Sequence, residues 1–249
     1  MVAMTFKYQD IDFPVREDLC QAFREAWQRL ARPGNWWSAA ERIAIAAETR
    51  NALECPLCRQ RNDPILTYPV EGKHIFESKL PYAAVDAVHR MICDKESINA
   101  KWLRGVIDSG VSDGQYAELL GVVVMVFSID EFHRAIGASL EPLPQPQPGA
   151  PDNYRPANLE TQTGFIPMIA AAGNSGAESD LWPSGRTGNV IRAMSLVPDA
   201  VRDLMLLSDV MYIDHGEMMA FRPEAGRAID RMQIELVAGR VSAINQCFY

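Results

Sequence analysis

The chain has 249 residues, of which 48% are hydrophobic and 22% charged, so it can bury one sizeable core or two smaller ones. Its formal net charge is −8 and it has no cluster of lysines and arginines, which argues against nucleic acid or an anionic membrane as a partner. The longest apolar run, residues 119–127, is too short to span a bilayer, and the first ten residues lack a signal-peptide pattern. Five cysteines, a sparse and odd number, predict a cytoplasmic protein with one special pair and not a secreted disulfide framework.

The first part of the chain predicts helices only. Apolar residues recur at three- and four-residue steps over residues 15–32, which is typical of an amphipathic helix. Ser38 and Glu41 have the spacing of a capping box, so a second helix is expected from there towards Cys55. Because proline is tolerated at the first position of a helix but not inside one, we expect a break at Cys55 and a new short helix from Pro56.

The rest of the chain extends this all-α pattern. A loop is expected over residues 62–81, and the next helices over residues 81–93, 95–108 and 112–137. Later helices are expected over residues 190–194, from Pro198 and from Pro223, after an irregular stretch over residues 170–189. Residues 141–164 begin with a proline-rich run typical of an extended spacer. We therefore predict two related helical halves, residues 1–140 and 165–249, joined by a linker over residues 141–164.

Cys55 and Cys58 carry the clearest chemical signal. Two thiols three residues apart across a helix start can form a reducible disulfide, and the field of the helix N-terminus favours the Cys55 thiolate. Cys58 would then resolve a mixed disulfide or a sulfenic acid on Cys55. A Cys-x-x-Cys pair also begins zinc knuckles, but no second pair of ligands follows nearby, so no metal is expected. The remaining alternative is a pair of inert buried thiols.

Two residues near this pair are candidates for proton transfer. Glu48 lies two helical turns before Cys55 on the same face, where its carboxylate could accept the thiol proton. The alternative for Glu48 is an ordinary solvated glutamate on the helix surface. His74 lies in the loop soon after the cysteines and is a candidate proton shuttle.

A third candidate lies at the end of the long helix. His133 follows Asp130 by three residues, so the carboxylate could orient the imidazole as a proton relay. The alternative is a histidine that interacts with the dipole at the helix C-terminus. His89 and His215 are assigned no functional role, and Cys20 and Cys93 are expected in the core.

One stretch near the end of the chain resembles a known active-site motif. In Glu235-x11-Cys247-Phe-Tyr249 a glutamate stands twelve residues before a cysteine. This run resembles the motif of the alkylhydroperoxidase D-like (carboxymuconolactone decarboxylase-like) superfamily, where the cysteine begins a Cys-x-x-Cys pair often followed by a histidine. Residues 187–204 are similar to the helix that precedes this motif in peroxidase-related members. The resemblance implies an all-helical fold, a homo-oligomer, and a proton relay that activates a cysteine, with Glu235 and Cys247 in the matching positions.

Both halves depart from that motif. Ile43 stands twelve residues before Cys55 and Asn62 four after Cys58, so Glu48 and either His74 or His133 would have to supply the relay. In the second half the chain ends at Tyr249, before a second cysteine pair closes. This ending suggests a product truncated at the next codon, for example at a selenocysteine codon read as a stop.

The residues and the resemblance together favour a cytoplasmic thiol-dependent oxidoreductase of the peroxidase or disulfide-reductase type. Its expected partners are a small peroxide or disulfide as substrate and a thiol protein as reductant, and no cofactor is expected. One alternative is a carboxymuconolactone decarboxylase-like lyase, which needs no cysteine pair. A second alternative is a non-catalytic helical module whose cysteines are structural.

Overall fold

The computed structural model describes residues 6–63, 65, 70–182, 185, 187–213 and 228–244, and these residues are mainly helical. The helices are α1 (Glu17–Leu30), α2 (Ala39–Glu54), α3 (Pro56–Arg61), α4 (Tyr82–Cys93), α5 (Ala100–Asp108), α6 (Asp113–Ile136), α7 (Asn189–Arg192), α8 (Pro198–Met211) and α9 (Arg231–Ile244). Single 3-10 turns occupy Lys95–Ser97 and Gly176–Glu178. Two short strands, β1 (Leu159–Glu160) and β2 (Met168–Ile169), pair antiparallel with Leu159 opposite Ile169. The helix-rich class that the sequence predicts is therefore present.

The break around the first cysteine has the expected form. The side chain of Ser38 accepts a hydrogen bond from the Glu41 amide, and the Glu41 carboxylate accepts one from the Ser38 amide, which completes the capping box of α2. Helix α2 ends at Glu54, and Pro56 occupies the first turn of α3, where its missing amide hydrogen removes no helical bond. Cys55, in extended conformation, is both the C-cap residue of α2 and the N-cap residue of α3.

The core is built around α2, which packs against α4 and α6. Helix α6 has 24 residues, begins with a Ser112–Gln115 capping box and ends at Gly137. The φ angle of Gly137 is 74°, a left-handed conformation that glycine adopts without strain. The described residues contain no helix that is both long and apolar enough to cross a membrane. The largest side chains in the core include Phe23, Trp27, Trp37, Ile45, Leu119 and Ile129.

The proline-rich segment is not an isolated spacer. The indole Nε1 of Trp27 donates to the Pro142 carbonyl at 3.0 Å, and the amide of Gln147 donates to the Ala31 carbonyl at 2.8 Å. Prolines lack an amide hydrogen, but their carbonyls still accept hydrogen bonds from neighbouring helices. The segment that composition predicts as a linker is therefore held against α1.

The chain divides into two compact units, Met1–Leu207 and Ser208–Tyr249. The predicted linker, residues 141–164, lies within the first unit. In the second unit the described part of α9 carries Glu235, whose carboxylate accepts hydrogen bonds from Tyr212 at 2.8 Å and Arg231 at 2.7 Å. The expected helix start at Pro223 lies outside the described residues.

Candidate functional site

Cys55 and Cys58 lie below the protein surface. Both side chains are buried, each residue being 2% exposed, and they pack against Leu57, Val70 and Cys93. The α2–α3 break holds Cys55 in extended conformation, while Cys58 follows on the first turn of α3. The position of the pair is therefore set by the backbone break that Pro56 imposes.

His74 links the first cysteine to a carboxylate. It lies on the segment between α3 and α4, and its Nδ1 is 3.5 Å from the Cys55 sulfur and 3.8 Å from the Cys58 sulfur. On the other side of the ring, Nε2 is 3.0 Å from the Asp86 carboxylate. The carboxylate accepts a hydrogen bond from Nε2–H, which leaves Nδ1 to face the sulfurs. We call Asp86, His74 and Cys55 the Asp86 chain.

A second chain of the same kind reaches the second cysteine. Nδ1 of His89, on α4, is 3.3 Å from the Cys58 sulfur, and its Nε2 is 3.3 Å from the Glu48 carboxylate on α2. His89 is fully buried and Glu48 nearly so. We call Glu48, His89 and Cys58 the Glu48 chain. The packing of α2 against α4 brings Glu48 and His89 together from 41 residues apart in the sequence.

The carboxylates have further partners that fix their positions. Asp86 also accepts hydrogen bonds from Arg90 at 2.7 Å and from the indole of Trp102 at 3.1 Å. Glu48 accepts one from Asn51 at 3.0 Å. Although burial raises the pKa of Asp86, its hydrogen bonds from His74, Arg90 and Trp102 outweigh burial and lower it well below the usual range. For Glu48, hydrogen bonds from His89 and Asn51 likewise outweigh burial and lower the pKa. Both carboxylates are therefore anions that can stabilise a charged imidazole.

The two sulfurs differ in acidity. Burial raises the pKa of Cys55, but the hydrogen bond with His74 and the backbone amides of Cys58 and Leu57 together lower it to about 6. The pKa of Cys58 is raised to about 12 by its hydrogen bond with Cys93 and by burial. Cys55 is therefore the thiolate of the pair at neutral pH, and Cys58 keeps its proton.

Both imidazoles favour the protonated form in the absence of other ligands. Burial lowers the pKa of His74, but hydrogen bonds with Asp86, Cys58 and Cys55 raise it overall to about 10. Burial also lowers the pKa of His89, but hydrogen bonds with Cys58 and Glu48 raise it overall to about 9. Each imidazole therefore carries a proton between a sulfur and a carboxylate at neutral pH.

Four residues predicted from the sequence meet at this site: Glu48, Cys55, Cys58 and His74. The contact of Glu48 differs from the expected one, since its carboxylate reaches Cys58 through His89. Sequence reasoning missed His89, although a histidine on the apolar face of the predicted helix over residues 81–93 was a signal that could have identified it.

The predicted relay at the end of α6 has different contacts. Both carboxylate oxygens of Asp130 accept hydrogen bonds from Arg50 at 2.8 Å, so Asp130 does not orient His133 as expected. A bidentate hydrogen bond between a carboxylate and a guanidinium is stronger than a single hydrogen bond between a carboxylate and an imidazole on the same helix. Nδ1 of His133 contacts the Ile129 carbonyl at 2.7 Å, and Nε2 contacts the hydroxyl of Tyr8 at 3.2 Å. His133 therefore belongs to an aromatic cluster and not to the cysteine site.

The remaining predicted residues lie in the last part of the chain. Glu235 is half-exposed on α9, with the Tyr212 and Arg231 contacts given above. Cys247 and His215 lie outside the described residues.

The four donor atoms of Cys55, Cys58, His74 and His89 all lie within 4.8 Å of one another, and all four residues are buried. We call these residues the Cys2His2 cluster. No protein-family model matches the chain, and no curated protein or solved structure matches it. The chemistry of the cluster is therefore the basis for the proposals that follow.

Proposed function

We propose that the protein is a thiol-dependent oxidoreductase in which Cys55 and Cys58 alternate between dithiol and disulfide. The supporting observation is that the nearest imidazole to each sulfur contacts it through Nδ1 and is held by a carboxylate at Nε2. Oxidation of a dithiol requires a proton acceptor for each sulfur. His74 of the Asp86 chain lies within reach of both sulfurs as that acceptor, and His89 of the Glu48 chain stabilises the Cys58 thiolate.

Within this class we propose an alkylhydroperoxidase-like peroxidase. The Cys55 thiolate attacks the outer oxygen of a hydroperoxide, and the O–O bond breaks. Cys55 becomes a sulfenic acid, and the alkoxide that leaves takes a proton from the His74 imidazolium to give an alcohol. The sulfur is oxidised by two electrons and the peroxide is reduced by two.

The second step uses the Glu48 chain. The Cys58 thiol gives its proton to His74, which the first step left neutral and whose Nδ1 is 3.8 Å from the Cys58 sulfur, while the His89 imidazolium, held by the Glu48 carboxylate, stabilises the Cys58 thiolate. The Cys58 sulfur then attacks the sulfur of the sulfenic acid, and the leaving hydroxide takes this proton back from His74 to become water. The sum is one hydroperoxide and two thiols giving one alcohol, one water and one disulfide. A thiol protein or small dithiol restores the pair by exchange.

Two features favour an alkylhydroperoxidase-like peroxidase that acts on a small oxidant. Both cysteines are 2% exposed, so a compact hydroperoxide reaches them with less displacement of the covering side chains than a bulky one does. The helix-rich fold and a carboxylate–imidazole relay on a cysteine also fit the alkylhydroperoxidase D-like superfamily. In this chain Glu48, His74 and His89 supply the groups that Ile43 and Asn62 cannot supply at the motif positions.

The test is oxidation of reduced, metal-free protein by hydrogen peroxide, with thiol counting and mass spectrometry of the peptides. We expect one disulfide, between Cys55 and Cys58, and peroxide turnover when a small dithiol is supplied. Cys55→Ser and Cys58→Ser should abolish turnover. Cys20→Ser, which replaces a buried thiol on α1, is the matched control and should retain it.

Each other outcome points to a different function. Unchanged turnover in Cys55→Ser would refute the proposal. Thiols that resist both oxidation and alkylation in the folded protein would favour the structural alternative. Lactone decarboxylation that survives replacement of all thiols would favour the lyase alternative.

A further inference from the structure

The donor atoms of the Cys2His2 cluster have nearly the spacing of a tetrahedral metal site. With zinc–sulfur bonds of about 2.3 Å and zinc–nitrogen bonds of about 2.0–2.1 Å, a sulfur and a nitrogen of one tetrahedron are about 3.5 Å apart. Three sulfur–nitrogen distances in the cluster are 3.5 Å (Cys55–His74), 3.8 Å (Cys58–His74) and 3.3 Å (Cys58–His89). Shifts of a few tenths of an ångström would bring these three pairs to the ideal separation.

Both imidazoles are oriented for coordination. Each presents Nδ1 to the sulfurs, while Nε2 points to a carboxylate of Asp86 or Glu48. Carboxylate–histidine–metal arrangements of this kind fix the ring and raise the basicity of the coordinating nitrogen. The same partner pattern on two histidines from different segments is an independent observation beyond the presence of four possible ligands.

The donor set also selects the kind of ion. Two thiolates and two imidazoles are the ligands of structural zinc sites, whereas magnesium and calcium require oxygen. A divalent ion would neutralise two thiolates in a site where all four side chains are buried. With four protein ligands the site leaves no position for a substrate, so it is of the closed type.

We propose that Cys55, Cys58, His74 and His89 of the reduced protein bind one zinc-class divalent ion in tetrahedral coordination. The sequence predicts no such site because the two histidines follow the cysteines at spacings that no zinc-knuckle pattern contains. Folding of the 70–81 segment and of α4 supplies the second pair of ligands.

Metal binding and the proposed thiol chemistry exclude each other, and this consequence alone rests on the proposed function. The ion must first dissociate, and the two freed thiolates then react with one hydroperoxide and two protons to give the disulfide, an alcohol and water. Charge balances, since two thiolate charges are consumed with two protons. The ion therefore protects the reduced pair, and the disulfide can no longer bind it.

The experiment is an anaerobic titration of reduced, metal-free full-length protein with Co²⁺, followed by addition of Zn²⁺. We expect one equivalent to bind, with thiolate-to-cobalt charge-transfer absorption and the intense visible bands of tetrahedral Co²⁺, and we expect Zn²⁺ to displace it. Weak octahedral bands, or no stoichiometric binding by the folded wild-type protein, would overturn the proposal without any variant.

Variants then assign the ligands. Cys58→Ser and His89→Gln should lose the tetrahedral spectrum, with circular dichroism as the check that each variant is folded. Cys20→Ser should keep it. Cys93→Ser removes a thiol that contacts Cys58 and should also keep it, so loss of the spectrum in that variant would contradict the assigned ligand set.

The two proposals fail separately. If the metal-free pair forms a disulfide but Co²⁺ does not bind in tetrahedral geometry, the metal site is wrong and the oxidoreductase proposal stands. If Co²⁺ binds in tetrahedral geometry but peroxide never oxidises the metal-free pair, the metal site stands and the oxidoreductase proposal is wrong.

Discussion

Replacing Asp86 by asparagine tests whether the carboxylate positions His74. In the wild-type protein one carboxylate oxygen contacts His74, and the other accepts hydrogen bonds from Arg90 and Trp102. An amide has a single acceptor oxygen, so the asparagine side chain in Asp86→Asn would turn its NH2 group towards a donor on one of the two sides. The substitution therefore removes a buried charge and breaks at least one of these contacts.

The expected cost is large because the partners are mostly buried. The side chains of Asp86 and Arg90 are 14% and 17% exposed, and removing one partner of a buried ion pair costs about 3–5 kcal/mol. Asp94 is a matched control, since it pairs with the same Arg90 at 3.2 Å and is 25% exposed. Asp94→Asn should cost less, about 1 kcal/mol, because its single contact with Arg90 is longer and nearer the surface.

The assay measures stability and metal binding in the same two variants. Urea unfolding of the metal-free proteins gives the difference in free energy of unfolding. Competition for Zn²⁺ should show about 10–100-fold weaker binding in Asp86→Asn, the effect of losing an orienting partner, and no change in Asp94→Asn. Equal stability and equal affinity in the two variants would refute the positioning role of Asp86.

The further predictions concern the stability of the fold. Gly34→Ala should destabilise the protein by about 1–3 kcal/mol in urea unfolding, because its Cβ would lie 1.6 Å from the buried Glu118 carboxylate. Gly105→Ala, mid-helix with no atom within 4 Å of the new Cβ, should instead stabilise it by about 0.5–1 kcal/mol, and a loss of stability would contradict this. Ser38→Ala should cost about 1 kcal/mol in the same assay through loss of the α2 cap, and no change would contradict the capping box. Burial raises the pKa of Glu118 despite its contact with Arg42, so the folded state holds this proton more tightly than the unfolded state. The proton on Glu118 contributes fully to stability below the pKa of about 4.3 that this group has in the unfolded state, and the contribution is lost as pH rises through its pKa in the folded state. Wild type should therefore lose stability relative to Glu118→Gln over that pH range. A constant difference between the two proteins would disprove it.

Local signals in the sequence predict the local structure around the site. The Ser38–Glu41 box and the proline after Cys55 specify where α2 begins and where it breaks, because both act through backbone hydrogen bonds within a few residues. These two features place the dithiol at a helix junction before any tertiary contact is known.

Contacts between distant residues could not be predicted in the same way. Asp130 has the correct spacing to orient His133, yet Arg50, 80 residues away, binds it with two hydrogen bonds. The position of His89 on an apolar helix face is a local signal, but its partners could not be predicted, because Glu48 and Cys58 reach it only when α2 packs against α4. Spacing arguments fail where a stronger partner arrives from another helix.

The site is costly to bury, and its arrangement explains how the cost is limited. Two carboxylates, two imidazoles and two thiols lie in a helical core where apolar side chains would pack without any polar partner. Each polar group is instead paired along the Asp86 chain or the Glu48 chain.

The two chains also explain why one geometry supports both proposals. In each chain the space between Nδ1 and the sulfur can be occupied by a proton, as in the thiol chemistry, or by a metal ion that both atoms coordinate. The carboxylate at Nε2 stabilises the imidazolium in the first case and strengthens the donor nitrogen in the second. Whether protons or a metal ion occupy the positions beside the sulfurs therefore decides whether the dithiol reacts or is protected.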